Sequence, residues 1–154
     1  MAKKKVTLPI TKAQAEAYLT AMELTPSGVS AGPTGAEKMG TIYKEIDFVP
    51  PENVAQIALE ALRDVFVRGL RGGTEIGYGR AVQLALRMPV PPRDIRRMVN
   101  YGSRHRKDLS SRQALLGKKT PGVIAMDLWG GSSGIAWAET RLRQMELIDA
   151  GFSL

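Results

Sequence analysis

Residues 122–138 constrain this chain most. Trp129 and Trp137 flank a turn built from Gly130, Gly131, Ser132, Ser133 and Gly134, with short apolar runs on both sides. Indole rings bury a large apolar area, and glycine admits the backbone angles of a tight turn. The pattern predicts helix, turn, helix, with both tryptophans packed in one core. Ser132 or Ser133 is the expected cap of the second helix. Ile135, Ala138, Leu142, Met145 and Ile148 recur there at helical spacing, and Gly151 marks its stop.

The rest of the chain is punctuated in the same way. Thr11 and Gln14 form a capping-box pattern at the head of a helix with a loose stripe of Ala13, Ala17, Leu19 and Leu24. Pro50 and Pro51 open the most amphipathic segment, where Ile57, Ala58, Ala61, Leu62, Val65 and Phe66 share a face. Thr74 caps a helix over 75–88 whose inner face is Ala81, Leu84, Ala85 and Met88. Gly77 and Gly79 sit early in that helix, at a cost of about 1 kcal/mol each against alanine, which points to close contact with a neighbouring helix. Pro92 starts a helix with Ile95, Met98 and Val99 inward and Arg93, Arg96, Arg97 and Arg104 outward, and Thr120 and Pro121 open a short one ending at Trp129.

The N-terminal part is less regular. Val6, Leu8 and Ile10 alternate with Thr7 and Pro9, as in an edge strand or an extended docking arm, and residues 25–41 are a Gly-, Ser-, Pro- and Thr-rich loop. Ile42, Ile46 and Phe48 have the spacing of a short strand. The expected fold is mainly α: a compact helical domain with one or two short N-terminal strands or an extended arm. Residues 1–48 read as arm, helix, flexible loop and short strand, and 49–154 as the helical domain carrying the tryptophan signature.

Charge is unevenly placed. Residues 93–119 hold nine Lys or Arg (Arg93, Arg96, Arg97, Arg104, Arg106, Lys107, Arg112, Lys118 and Lys119) against Asp94 and Asp108, a net +7 that equals the charge of the whole chain. A basic segment on a neutral body suits an acidic partner or nucleic acid; the alternative is a solvated helix face and a basic loop. No apolar run approaches the ~20 residues of a membrane span, and the lysine-rich start lacks a secretion signal's apolar region. Cysteine is absent, which rules out disulfides and thiolate metal sites and suits assembly in a reducing cytosol.

No catalytic constellation stands out. His105 is the single histidine, so a paired-histidine metal site is excluded; as a general base it would lean on Asp108, the nearest acid, although a structural hydrogen bond or a phosphate contact is the simpler role. The glycines at 72, 73, 77 and 79 lack the lysine and hydroxyl residue of a phosphate-binding loop. The 130–134 turn can offer free amides to an anion, or simply let the tryptophans pack. Neither an enzyme nor a bound cofactor or metal is expected.

The ordered set of short motifs over residues 49–138 resembles a small helical domain of tailed-phage head and virion-morphogenesis proteins. The matching pieces are Pro50-Pro51, Arg71 to Thr74, Gly77 to Ala81, Ile95 to Met98, Arg104-His105 with Asp108, Leu128 to Gly131, and Gly134 to Ala138. In this resemblance Thr74, Gly77, Trp129, Gly130, Gly131, Gly134 and Trp137 form a folding signature, while Arg80, Arg97, Arg104 and His105 are free for other roles. Ser132, Val82 and Gln83 depart from the family's charged residues, which favours a structural role over a working site. The resemblance implies a structural virion protein bound to the capsid or other head proteins as a minor, cement or decoration subunit, present in many symmetric copies and acting by docking. The arm at Val6, Leu8 and Ile10 is the expected docking element, and Arg93 to Lys119 the expected contact with an acidic capsid surface or packaged DNA. The alternatives are a small basic DNA-binding accessory protein made in the infected cell, or an inhibitor or adaptor of a host protein.

Overall fold

Threonine hydroxyls and prolines open most of the helices of this protein. The computed structural model describes residues 5–24 and 42–154, with Arg112 described by its backbone alone. In chain order the helices are α1 (Lys12–Ala21), α2 (Glu52–Phe66), α3 (Glu75–Ala85), α4 (Pro92–His105), a 3-10 turn (Arg106–Ser110), α5 (Arg112–Leu115), α6 (Pro121–Leu128) and α7 (Gly131–Asp149). The expectation of a mainly helical domain holds. The capping box is formed in full: Gln14 N donates to Thr11 Oγ1 at 3.1 Å and Thr11 N to Gln14 Oε1 at 2.9 Å. Thr74 accepts from Gly77 N at 3.3 Å and Thr120 from Val123 N at 3.1 Å, each satisfying a first-turn amide that has no partner within its helix. Pro92 and Pro121 sit in the first turns of their helices, where no amide hydrogen is needed.

α3 is the central element. From Gly79 to Ala85 every residue is buried, because α1, α2 and α6 pack around it. Gly79 lets α1 come close: a methyl group there would meet Tyr18 O at 2.7 Å and press on Met22 Sδ. Tyr18, Phe66 and Tyr78 interlock edge to face where α1, α2 and α3 converge, with Phe66 and Tyr78 centroids 5.1 Å apart. α2 buries Val54, Ala58, Ala61 and Leu62; Ile57, Val65 and Phe66, expected on the same face, lie at its half-buried edges. α7 packs on α4, with Ile135 seated against Gly102. Both tryptophans are buried in the same core, which also takes Leu19, Met22, Tyr43 and Phe48. One core therefore spans the 48/49 boundary.

Two local expectations are corrected. Residues 42–48 form turns, and among the described residues there is no strand. Ile46 and Phe48 are buried at the expected spacing, but Ile46 N bends back to Tyr43 O at 3.0 Å and Val49 N to the Asp47 carboxylate at 2.9 Å. The remote backbone contact here is Val90 N to Phe48 O at 2.9 Å, and the prolines at 50 and 51 supply no donors for a ladder. The cap of α7 is Gly130, at φ +91°, and neither serine: the left-handed residue turns the chain so sharply out of α6 that Ser132 and Ser133 already lie in the first turn. Val6 to Leu8 have no regular structure and the chain bends at Pro9 and Ile10; Leu8 and Ile10 pack against this chain's own core and Val6 is exposed. No described helix is long and apolar enough to cross a membrane.

Candidate functional site

Arg93, Arg97, Asn100 and Arg104 follow one another at steps of four, three and four, so they line one face of α4. Arg97, Asn100 and Arg104 of that face form the wall of an open cleft of about 510 Å³. Ile76 and Arg80 of α3, Trp129 at the end of α6, and Ala21, Met22 and Glu23 at the end of α1 complete it.

Arg80 is the anchor. It projects from the buried helix α3 and is 1% exposed, as is its neighbourhood: Gln83 and Asp94 are both fully buried. One guanidinium nitrogen donates to Gln83 Oε1 at 2.5 Å and another to Asp94 Oδ1 at 3.3 Å, while the guanidinium carbon stands 4.9 Å over the Trp129 ring. Asp94 lies in the first turn of α4, where the helix dipole favours a carboxylate. Its Oδ1 also accepts from Arg97 at 3.3 Å, and Arg93 Nε stands 3.9 Å away. One carboxylate thus serves three guanidiniums. Burial pulls the Arg80 guanidinium below its usual range, Asp94 pushes it back up, and Arg97 and Arg93 act against it. Among the described residues Arg80 Nε, Gln83 Nε2 and Asp94 Oδ2 are buried without a hydrogen-bond partner.

The ends of the cleft are built differently. At one end Arg93 donates to Glu23 Oε2 at 2.8 Å and to Met22 O at 3.4 Å, tying the end of α1 to α4. Glu23 holds a left-handed backbone, φ +60°, rare for a residue with a side chain. At the other end Trp129 stacks on Tyr101 at 4.2 Å with the rings 3° from parallel, and Tyr101 stacks on His105 at 4.3 Å. Burial, then Asp108, pushes the Tyr101 phenol up to about 12, so it stays protonated. His105 Nδ1 meets Asp108 Oδ2 at 3.3 Å, the pairing expected from their spacing.

The basic segment does not present one surface. Arg97 and Arg104 face the cleft and Arg93 closes it. Arg96 is exposed and lies beside the Tyr43 hydroxyl, which donates to Asp149 at 2.8 Å. Arg106 pairs with Glu139 at 2.7 Å, and Lys119 reaches the buried carboxylate of Asp64 at 2.6 Å, so Lys119 clamps the loop onto α2. Lys107 and Lys118 are exposed, and the Arg112 side chain lies outside the described residues. Among the described residues no group of three or more His, Asp or Glu is placed to share a metal ion.

Asn100, Glu23 and Met22 were not singled out by sequence reasoning, which named Gln83 only as a departure from the resemblance and Asp94 only as an acid in the basic segment. A charged residue at position 80 directly before the apolar run Ala81-Val82 signals a buried arginine needing partners, and the spacing of Asn100 with Arg97 and Arg104 places it on their face. In comparisons with family models, curated proteins and solved structures, the chain matches none.

Proposed function

We propose that this protein is a non-catalytic docking component of a phage head, holding an acidic surface of another virion protein against the α4 face. The phage context rests on the ordered motifs of residues 49–138. The mode of action rests on one observation: Arg97 and Arg104 border an open cleft, with a third guanidinium, Arg80, at its floor. Nucleic acid is the weaker partner for this geometry. A phosphate backbone is tracked by a continuous run of unopposed cations, whereas Arg93, Arg97 and Arg106 here are interleaved with Glu23, Asp94 and Glu139. An interleaved pattern fits the mixed charges of a protein surface.

Mass spectrometry of gradient-purified particles washed in high salt tests this reading. Recovery of the chain in fixed ratio to the major capsid protein is expected. Absence from particles, with abundance in the lysate of infected cells, overturns it. Retention of duplex DNA by the isolated protein, with an affinity falling steeply with salt, would replace it with the DNA-binding reading.

A further inference from the structure

Among the described residues the cleft holds more guanidiniums than carboxylates. Arg80, Arg97 and Arg104 line it and Arg93 closes its end, against two carboxylates, Asp94 and Glu23. Asp94 is wholly buried beneath the wall, and Glu23 is directed to Arg93. Arg97 is half-exposed although it contacts Asp94, leaving most of its donor fork free for a second acceptor. The floor guanidinium of Arg80 is desolvated and paired with Asp94, and its Nε has no hydrogen-bond partner among the described residues.

The opposite wall is apolar: Ala21 and Ile76 are exposed, and Met22 beneath them belongs to the core. Trp129, the aromatic ring of the cleft, is already engaged by Tyr101 and Arg80 and offers no free platform to a nucleobase. A site with arginines on one wall and apolar side chains on the other matches a peptide that alternates carboxylates with apolar groups.

We propose that the cleft is a carboxylate pocket that takes an acidic segment of a protein partner, its Asp or Glu side chains on Arg97 and Arg104 and its apolar side chains against Ala21 and Ile76. This assigns the contact point of the docking reading above and rests on it for the identity of the partner, though the pocket itself is tested without particles.

The probe is the peptide acetyl-Leu-Glu-Leu-Glu-amide, titrated into the nitrogen-15-labelled full chain at fixed ionic strength and followed by NMR. Its Gln-for-Glu counterpart, inorganic phosphate and a short single-stranded DNA serve as parallel arms. Saturable shifts at the Trp129 indole and the Arg97 and Arg104 Nε–H groups are expected with the acidic peptide and not with its neutral counterpart. Arg97→Gln with Arg104→Gln is expected to weaken binding about tenfold or more, and Arg96→Gln, outside the cleft, to leave it unchanged. Equal weakening by Arg96→Gln, no saturable shift, or tighter binding of phosphate or DNA overturns the pocket. A chain absent from particles that still binds the acidic peptide sinks the virion reading and leaves the pocket standing.

Discussion

Arg80 of α3 reaches Asp94 of α4 at 3.3 Å, and both side chains are out of reach of solvent. Removing one partner of such a pair leaves the other charge buried without compensation, which typically costs about 3–5 kcal/mol. Asp94→Asn is therefore expected to lower the unfolding free energy by about that amount in urea titration. Arg80→Met combined with Asp94→Leu, which removes both charges, is expected to recover most of the loss. A double variant no more stable than Asp94→Asn would show that the pair does not act as a unit.

Gly77 and Gly79, two residues apart in α3, are expected to respond to alanine with opposite signs. A methyl group at 77 would meet Leu128 at 3.4 Å and Trp129 at 3.7 Å, ordinary contacts, so the helix-propensity gain of up to about 1 kcal/mol prevails and Gly77→Ala stabilises. At 79 the same group would stand 2.7 Å from the Tyr18 carbonyl, which moves only if α1 moves. Gly79→Ala is expected to destabilise by about 1–3 kcal/mol as overpacking does. Chemical denaturation of the two variants side by side checks the signs.

The contrast between these positions shows what was legible beforehand. Local chemistry was: Thr11, Thr74 and Thr120 cap where their spacing said, and Gly79 marks a close approach. Features depending on distant partners were not. The 42–48 segment has the alternation of a strand but finds no neighbouring strand among the described residues, so its buried side chains are carried by turns. Asp94 lies fourteen residues from Arg80, and Lys119 fifty-five from Asp64. Charge counts along the chain merged Lys119 with Arg97 into one basic segment, whereas the fold sends one to α2 and the other to the cleft.

Lys119 and Lys118 are a second pair that sequence alone does not separate. Lys119 is bonded at 2.6 Å to Asp64, whose carboxylate is buried and shared with Arg68. Lys119→Met is expected to loosen the 106–119 segment with little change in global stability, because Arg68 remains on Asp64. Chymotrypsin should then cleave faster at Leu115 and Leu116, which are 76% and 67% exposed. Lys118→Met is expected to leave the cleavage rate unchanged; equal acceleration by both would remove the clamp role from Lys119.

Asp127 gives the fold a titration signature. It is half-buried in α6, and its carboxyl is pushed up to about 6, first by burial and further by Asp64, against the opposing pull of Lys119. An acid raised in the folded state binds more protons there than in the unfolded chain. Its contribution to stability is therefore fully present below its unfolded value of 3.8 and is lost as pH rises through about 6. Asp127→Asn removes the charge that burial opposes, so the variant is expected to be more stable than the parent by about 1–2 kcal/mol at pH 7.5. That advantage should shrink steadily between pH 6 and pH 4. Because Lys119 lowers this carboxyl, Lys119→Met should move its titration to higher pH, readable by carbon-13 NMR of the Asp127 side chain. A parent and an Asp127→Asn variant with parallel stability-versus-pH curves would show that Asp127 ionises as freely in the folded chain as in the unfolded one.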